Sequence, residues 1–386
     1  MHGVILAGRR AFDAKKEKTE IGFCPPVKTA LYFSFRLCYN SAKGAFRVTY
    51  RFFTGGYADK NQPGICRFSF DPQRGFALEA AWTGFVNPSF ALLHPTLPVL
   101  YTVEETTPQG AVHAWALTAE GPRHLGGLPS GGADPCHLLL DGEYLYAANY
   151  TSGSLAAFRL NADGSLRARA DLRQHSGHGP NPDRQECAHV HFSMALGGEI
   201  LACDLGQDTV FRYIRENGQL KELGRVPFPA GSGPRHLAAS PALPDRLYCV
   251  AELGSQVYAL TREGDIWRID QAASMLPPDF AGENTAAAIH ITPDARYLLA
   301  SNRGHDSIAV FALSPEGALG RPVLSACVAQ PRDFLIAGDH ILVGSQRDSL
   351  IRAYRLDRDT GRLTDTGFTA EAPHPVCFQP WRSAVK

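Results

Sequence analysis

The chain has 386 residues, of which 44% are hydrophobic and 20% charged, a composition that suits a large packed core and excludes disorder over the bulk of the protein. Lysine plus arginine equals aspartate plus glutamate at 38 each, so there is no overall basic field of the kind that non-specific nucleic-acid or anionic-membrane binding requires. Nine cysteines, odd in number and without a CxxC pair, argue against a disulfide framework or a zinc-finger-type site and favour a reducing, cytoplasmic compartment.

Residues 1–47 fit no repeat. "MHGVILAG" is short for a signal peptide and is followed at once by Arg9 and Arg10, while "ALYFSF" has no partner segment. The segment is expected to be a poorly ordered extension or a start-site artefact, and no run in the chain reaches the roughly 18 apolar residues of a membrane span. From residue 48 to 386 the pattern is all-β. "YRFFTGGYA", "GICRFSFDPQRG" and "FALEAAWTG" read as three strands.

Then come six copies of one plan: "NPSFALLHPTLPVLYTVEE", "DPCHLLLDGEYLYAANY", "CAHVHFSMALGGEILACDLG", "PRHLAASPALPDRLYCVAELG", "AAIHITPDARYLLASNRG" and "PRDFLIAGDHILVGSQRD". Each supplies two short apolar strands ending in polar residues. An alternating strand such as "SLAAFRLN" or "TVFRYIRE" follows, and then a turn closing on leucine, as in "ADGSLR", "ENGQLK" and "DTGRLT". Four strands per repeat predict a β-propeller blade. The six copies plus the first three strands make a seven-bladed β-propeller with four antiparallel strands per blade. "HPVCFQP" at 374–380 supplies the missing innermost strand, so that pairing of C-terminal with N-terminal strands closes the ring and hides its edges.

In a blade whose strands run a to d outward from the axis, the entry to strand a and the exit from strand b share one face. Repeat alignment puts His137, His189, His236 and Asp333 at one position of strand a, with Arg235 and Arg332 directly before two of them. Alignment of strand b ends gives Asn149, Asp204, Glu252, Asn302 followed by Arg303, and Gln346. These side chains are expected to ring one mouth of the channel, at positions where Phe90, Ala288 and Cys377 show that plain residues suffice. Any single histidine of the set reads equally as a strut tying strands together. Three arginines near one channel in a chain of zero net charge point instead to a bound anion. His189 and His191 are spaced like a metal pair on a strand, but no third ligand has a diagnostic spacing, and no metal or cofactor is expected. GxSxG, GxxxxGK[ST], GxGxxG and HExxH motifs are absent, which removes the usual supports for serine hydrolysis and nucleotide chemistry.

With "HGPNPDRQECAHVHFS", "DLGQDTVFRY", "GSGPRHLAASP", "AELGSQV" and "SNRGHDSIAVF", the chain resembles the seven-bladed propeller lactonases from about residue 53 to 378, and through them the fungal carboxymuconate lactonizing enzymes. The resemblance implies hydrolysis of 6-phosphogluconolactone, a step of the oxidative pentose phosphate pathway. The catalytic His, Arg and Glu of the lactonizing relatives would fall on His189 or His191, on Arg235 and on Glu252. His137, Asn149, His236, Arg303, Arg332 and Gln346 would contact substrate or phosphate. A base to activate water, a cation facing the carbonyl oxygen and a dianion clamp cover what a sugar-phosphate lactone needs. His189 or Glu252 as base, Arg235 at the oxyanion, and Arg303 or Arg332 at the phosphate fill those parts. A lactonizing or lactone-opening enzyme acting on a dicarboxylate, and a non-catalytic interaction propeller, are the alternatives. The expected partner is a small lactone rather than nucleic acid or membrane, and the expected state is a monomer or weak homodimer.

Overall fold

A computed structural model describes residues 36–40 and 45–381, and they form strands and turns with no helix among them. Seven four-stranded antiparallel blades follow one another, with a fifth strand, Arg36–Asn40, added to the first. The seven innermost strands, one per blade, lie beside one another around the axis; Val190–Leu196, for example, sits between Pro135–Asp141 and Pro234–Ala239. Closure occurs as the sequence predicts. Pro375–Pro380 pairs antiparallel with Ala45–Gly56, which in turn pairs with Ile65–Asp71. The pairing of Arg36–Asn40 with Ala45–Gly56 carries strand structure ahead of the expected boundary at residue 48. The apolar "ALYFSF" and everything before it lie outside the described residues.

Each blade is buried on both faces, so its inner strands are mostly apolar and their alternate residues serve two different interfaces. In the strand Arg246–Ala251, Leu247, Cys249 and Ala251 pack toward the preceding blade, while Tyr248 and Val250 pack toward the next. The core is accordingly divided among seven clusters, one in each gap between neighbouring blades. Outer strands meet water and alternate in polarity, as Leu166–Gln174 does.

The recurring glycine turn before the outer strand also has a partner. Tyr101 Oη donates to the Gly164 carbonyl at 2.8 Å and Tyr248 Oη to the Gly317 carbonyl at 2.7 Å, in each case reaching into the next blade. Among the described residues no helix is long and apolar enough to cross a membrane.

Candidate active site at the channel mouth

The β-ladders fix which residues of the seven blades are equivalent, and they revise two of the alignments read from sequence. In the strand Pro234–Ala239 the ladder skips Arg235, and in Val190–Leu196 it skips His191. His191 is therefore the counterpart of Arg235, and Phe192 that of His236. His189 precedes its strand and does not share a position with His137 and His236. The same bulge also skips Cys136 in Pro135–Asp141, and the residue after it is His137, Phe192 or His236, so matching histidine to histidine set His189 three residues out of register.

The second revision concerns the exits of strand b. Asn149, Asp204, Ala251 and Asn302 close their strands against Ser154, Thr209, Gln256 and Ser307, so Glu252 stands one residue later, in register with Tyr150, Arg303 and Gln346. The closing position is structural. Asn149 is fully buried, and its Nδ2 donates to Ser154 Oγ at 3.0 Å and to the Ser130 carbonyl, while Asn302 repeats the arrangement with Ser307 and Met275. Asp204 accepts from the main-chain N–H of His189 and Gln207 and meets His175 at 2.7 Å. Asn149, expected to touch substrate, is thus a strut, because its strand would otherwise end without an anchor.

The position after it faces the channel. Glu252, 3% exposed, receives three arginines: Arg184 Nη2 at 2.6 Å on Oε1, with Arg235 Nε at 2.8 Å and Arg303 Nη2 at 3.0 Å on Oε2. Burial pushes the Glu252 carboxyl upward, but Arg303 and Arg235, with His191 and Arg184, hold it well below the usual carboxylate range. The crowding acts on Arg235 in turn: burial and then Arg303 bring it down to about 9. Its Nη1 donates to the Ala287 carbonyl at 2.8 Å and lies 3.1 Å from His236 Nε2. Arg303 also donates to the Ala286 carbonyl.

Beside this knot opens a cleft of about 340 Å³, counted to its open side, lined by Tyr57, Ser89, Phe90, Glu105, Cys136, His191, Arg235, His236, Arg332, Asp333 and Val376. Arg332 lies over the Tyr57 ring, 5.7 Å from its centroid. Alone of the four arginines it has no carboxylate within ion-pair distance among the described residues. Glu105 accepts from Tyr57 Oη at 3.0 Å and from Ser89 Oγ, and its burial raises its pKa. His191 is 4% exposed, its Nδ1 has no hydrogen-bond partner, and burial together with Arg235 holds its pKa well below the ordinary histidine value. His236 is lowered in the same way.

Of the remaining predicted residues only Asp333 lines the cleft. The His137 ring is wedged between Phe90 and Phe192 at 4.4 and 4.2 Å, its Nδ1 accepts from the Ser193 N–H, and burial takes its pKa down to about 3. His189 has Nδ1 3.1 Å from the Tyr150 carbonyl and Nε2 3.2 Å from Glu186, and does not line the cleft. Gln346 offers main-chain groups, its carbonyl meeting His374 Nδ1 at 2.9 Å. Asp333 pairs with His290 at 3.0 Å. Arg184, Tyr150, Tyr57 and Glu105 escaped the sequence reading. Tyr57 and Tyr150 occupy the same position as Glu252 and were within reach of a corrected alignment, whereas Arg184 lies on an interblade connection rather than in the repeated strands.

The arrangement can bind an anion beside a neutral imidazole and a set of fixed cations. Similar arrangements of chain are known. The family described as lactonase, 7-bladed beta-propeller, matches residues 51–380. A 6-phosphogluconolactonase of Bacillus subtilis is 33% identical over 344 residues, covering 85% of this chain and 97% of that one. Another from Formosa agariphila is 31% identical, covering 81% and 94%. Among solved structures, the periplasmic gluconolactonase of Pseudomonas aeruginosa superimposes with a TM-score of 0.79 at 28% identity, covering 86% of this chain and 99% of its own. A Lactobacillus plantarum protein does so with 0.81 at 28%, covering 86% and 100%. Fold, blade order and the extent of the match agree, and the chain belongs to the lactonase family of seven-bladed β-propellers.

Proposed function

We propose that this lactonase hydrolyses a phosphorylated sugar lactone, 6-phospho-D-glucono-1,5-lactone, to 6-phosphogluconate in the cytoplasm. The observation that carries the reading is Arg332: a cation lining the cleft without a carboxylate partner, beside Arg235, whose own charge is already disfavoured by burial. Four guanidiniums meet Glu252 and Glu105 here, while Asp333, also in the lining, is engaged by His290, so positive charge is in surplus and a phosphate would offset it. The names of the Bacillus and Formosa relatives support the same substrate.

In this reading Arg332 binds the phosphate. Arg235 faces the carbonyl oxygen as charge develops on it, and Glu252 fixes Arg184, Arg235 and Arg303 in place. Water adds to C1, the C1–O5 bond breaks, and the ring oxygen takes a proton as it leaves. His191 accepts the proton from water and hands it on to the departing ring oxygen. Glu252, held ionised by three arginines, is too weak a base for that part, and His189 does not line the cleft. Burial depresses His191 first and the arginines next; the substrate's dianion would offset the second of these, so that part of its basicity is recovered when substrate binds.

The test compares kcat/KM for the phosphorylated lactone and for glucono-1,5-lactone by continuous acid release. A charge-assisted contact worth about 1.5–3 kcal/mol predicts a preference of roughly 10- to 150-fold for the phosphorylated substrate. Equal values would overturn the phosphate assignment. Turnover of a dicarboxylate muconolactone in preference to both would favour the lactonizing branch.

A further inference from the structure

We infer that Glu186, Cys187 and His189 form a binding site for a zinc-class divalent ion on the loop that leads into the innermost strand of the fourth blade. One oxygen of Glu186, the Cys187 sulfur and His189 Nε2 form a triangle with edges of 3.2 Å (O–N), 3.8 Å (S–N) and 3.8 Å (S–O). A tetrahedral ion with Zn–N and Zn–O bonds near 2.0–2.1 Å and a Zn–S bond near 2.3 Å sets its ligands about 3.3–3.6 Å apart. The three atoms therefore stand within a few tenths of an ångström of three corners of one coordination shell. Among the described residues no other group of three such ligands gathers this closely.

The surroundings match what a ligating imidazole requires. His189 Nδ1 lies 3.1 Å from the Tyr150 carbonyl, which accepts its N–H and leaves the lone pair on Nε2, the atom in the triangle. Tyr150 stacks on the ring at 4.5 Å, and the Asp204 carboxylate accepts from the main-chain N–H of His189 at 2.9 Å, so the ring has a stacking partner and its backbone an anchor. Upstream, the fully buried Gln185 donates to the Leu205 carbonyl and to Asp208. The Cys187 carbonyl packs so closely on Gly206 that a Cβ there would come within 1.9 Å of it. The segment is held before any ion arrives.

The ligand set of one thiolate, one imidazole and one carboxylate suits zinc or cobalt better than magnesium or calcium. Binding replaces the Cys187 S–H bond with a sulfur–metal bond and releases one proton to solvent, while Glu186 and His189 bind as they stand. Glu186 is exposed, which gives the ion an entry path and leaves a fourth position to water. An ion here would also stiffen the loop carrying Arg184, whose guanidinium reaches Tyr150 Oη and Glu252.

Metal occupancy is the readout, so the outcome does not depend on the identity of the substrate. Untagged, reduced protein would be titrated with zinc chloride by calorimetry and with cobalt chloride by absorption. We expect one ion per chain and, with cobalt, a thiolate-to-metal charge-transfer band. Both should be lost in Cys187→Ala, and zinc affinity should fall at least tenfold in Glu186→Gln, whose exposed side chain supports no core. Absence of stoichiometric binding to the wild-type chain would overturn the assignment. An unchanged cobalt band in folded Cys187→Ala would do the same, by placing the ion on another thiol.

Discussion

Arg332 and Glu252 illustrate how differently two charged residues of one cleft should respond to substitution. Arg332 makes no ion pair among the described residues, so Arg332→Ala removes only its stacking on Tyr57 and its longer-range attraction to Glu105. It should raise KM for the phosphorylated lactone by roughly 10- to 100-fold while leaving the unphosphorylated lactone and the melting temperature nearly unchanged. Glu252 is the common partner of Arg184, Arg235 and Arg303. Removing its charge leaves three guanidiniums facing one another, so Glu252→Gln should cost about 3–5 kcal/mol of stability in addition to activity. Chemical denaturation separates the two effects; a Glu252→Gln variant as stable as wild type would mean that the arginines relax into solvent. His191→Gln should instead lower the enzymatic rate by about a hundredfold with little change in folding. The distinction between these roles was only partly legible in the sequence. Motif order brought His191, Arg235, Glu252, Arg303 and Arg332 into one region, because the repeat fixes position along each blade. It could not separate His189 from His191, since the counterpart of His137 and His236 in that strand is Phe192 and no histidine marks it, nor find Arg184, which lies on an interblade connection rather than in the repeated strands.

Single strands carry the next level of constraint. The architecture was readable at this scale because a four-strand unit recurs, and alternation within each strand divides its residues between two interblade clusters. The C-terminal segment was recognisable as a strand lacking a repeat of its own, beside an N-terminal blade short of one. Pro375–Pro380 places Phe378 in the cluster between the last and first blades and covers the inner edge of Ala45–Gly56. Deleting 375–386 should therefore uncover both an apolar cluster and a sheet edge. We expect insoluble or strongly destabilised protein, and a soluble truncated chain with wild-type circular dichroism and melting would contradict this. The blade-to-blade bond from Tyr248 to the Gly317 carbonyl gives a finer test. Gly317 has φ +81° and a Cβ there would lie 2.8 Å from Tyr248 Oη, so Gly317→Ala should destabilise by about 1–2 kcal/mol or more, whereas Tyr248→Phe should cost about 1 kcal/mol.

Across the whole molecule the buried imidazoles set the response to acid. His137, His191 and His236 all have folded-state pKa values below the ordinary value of 6.5, that of His137 at about 3, each through burial first and Arg235 next. Below pH 6.5 the unfolded chain binds protons that the folded chain refuses, so stability falls as pH drops from about 6.5 toward 3. Melting temperature should decline steadily between pH 7 and pH 5, and His137→Phe, which keeps an aromatic ring between Phe90 and Phe192, should flatten the decline; an unaltered slope would mean that another group titrates. Ring closure reaches further still, into the making of the protein. Ala91 N–H meets Cys377 Sγ across 286 residues of chain. At roughly 5–20 residues per second a ribosome needs about 15 to 60 seconds to add such a length. For that interval the first blade lacks its innermost strand, and the stretch Phe52–Gly56 presents an unpaired edge that a neighbouring chain could occupy.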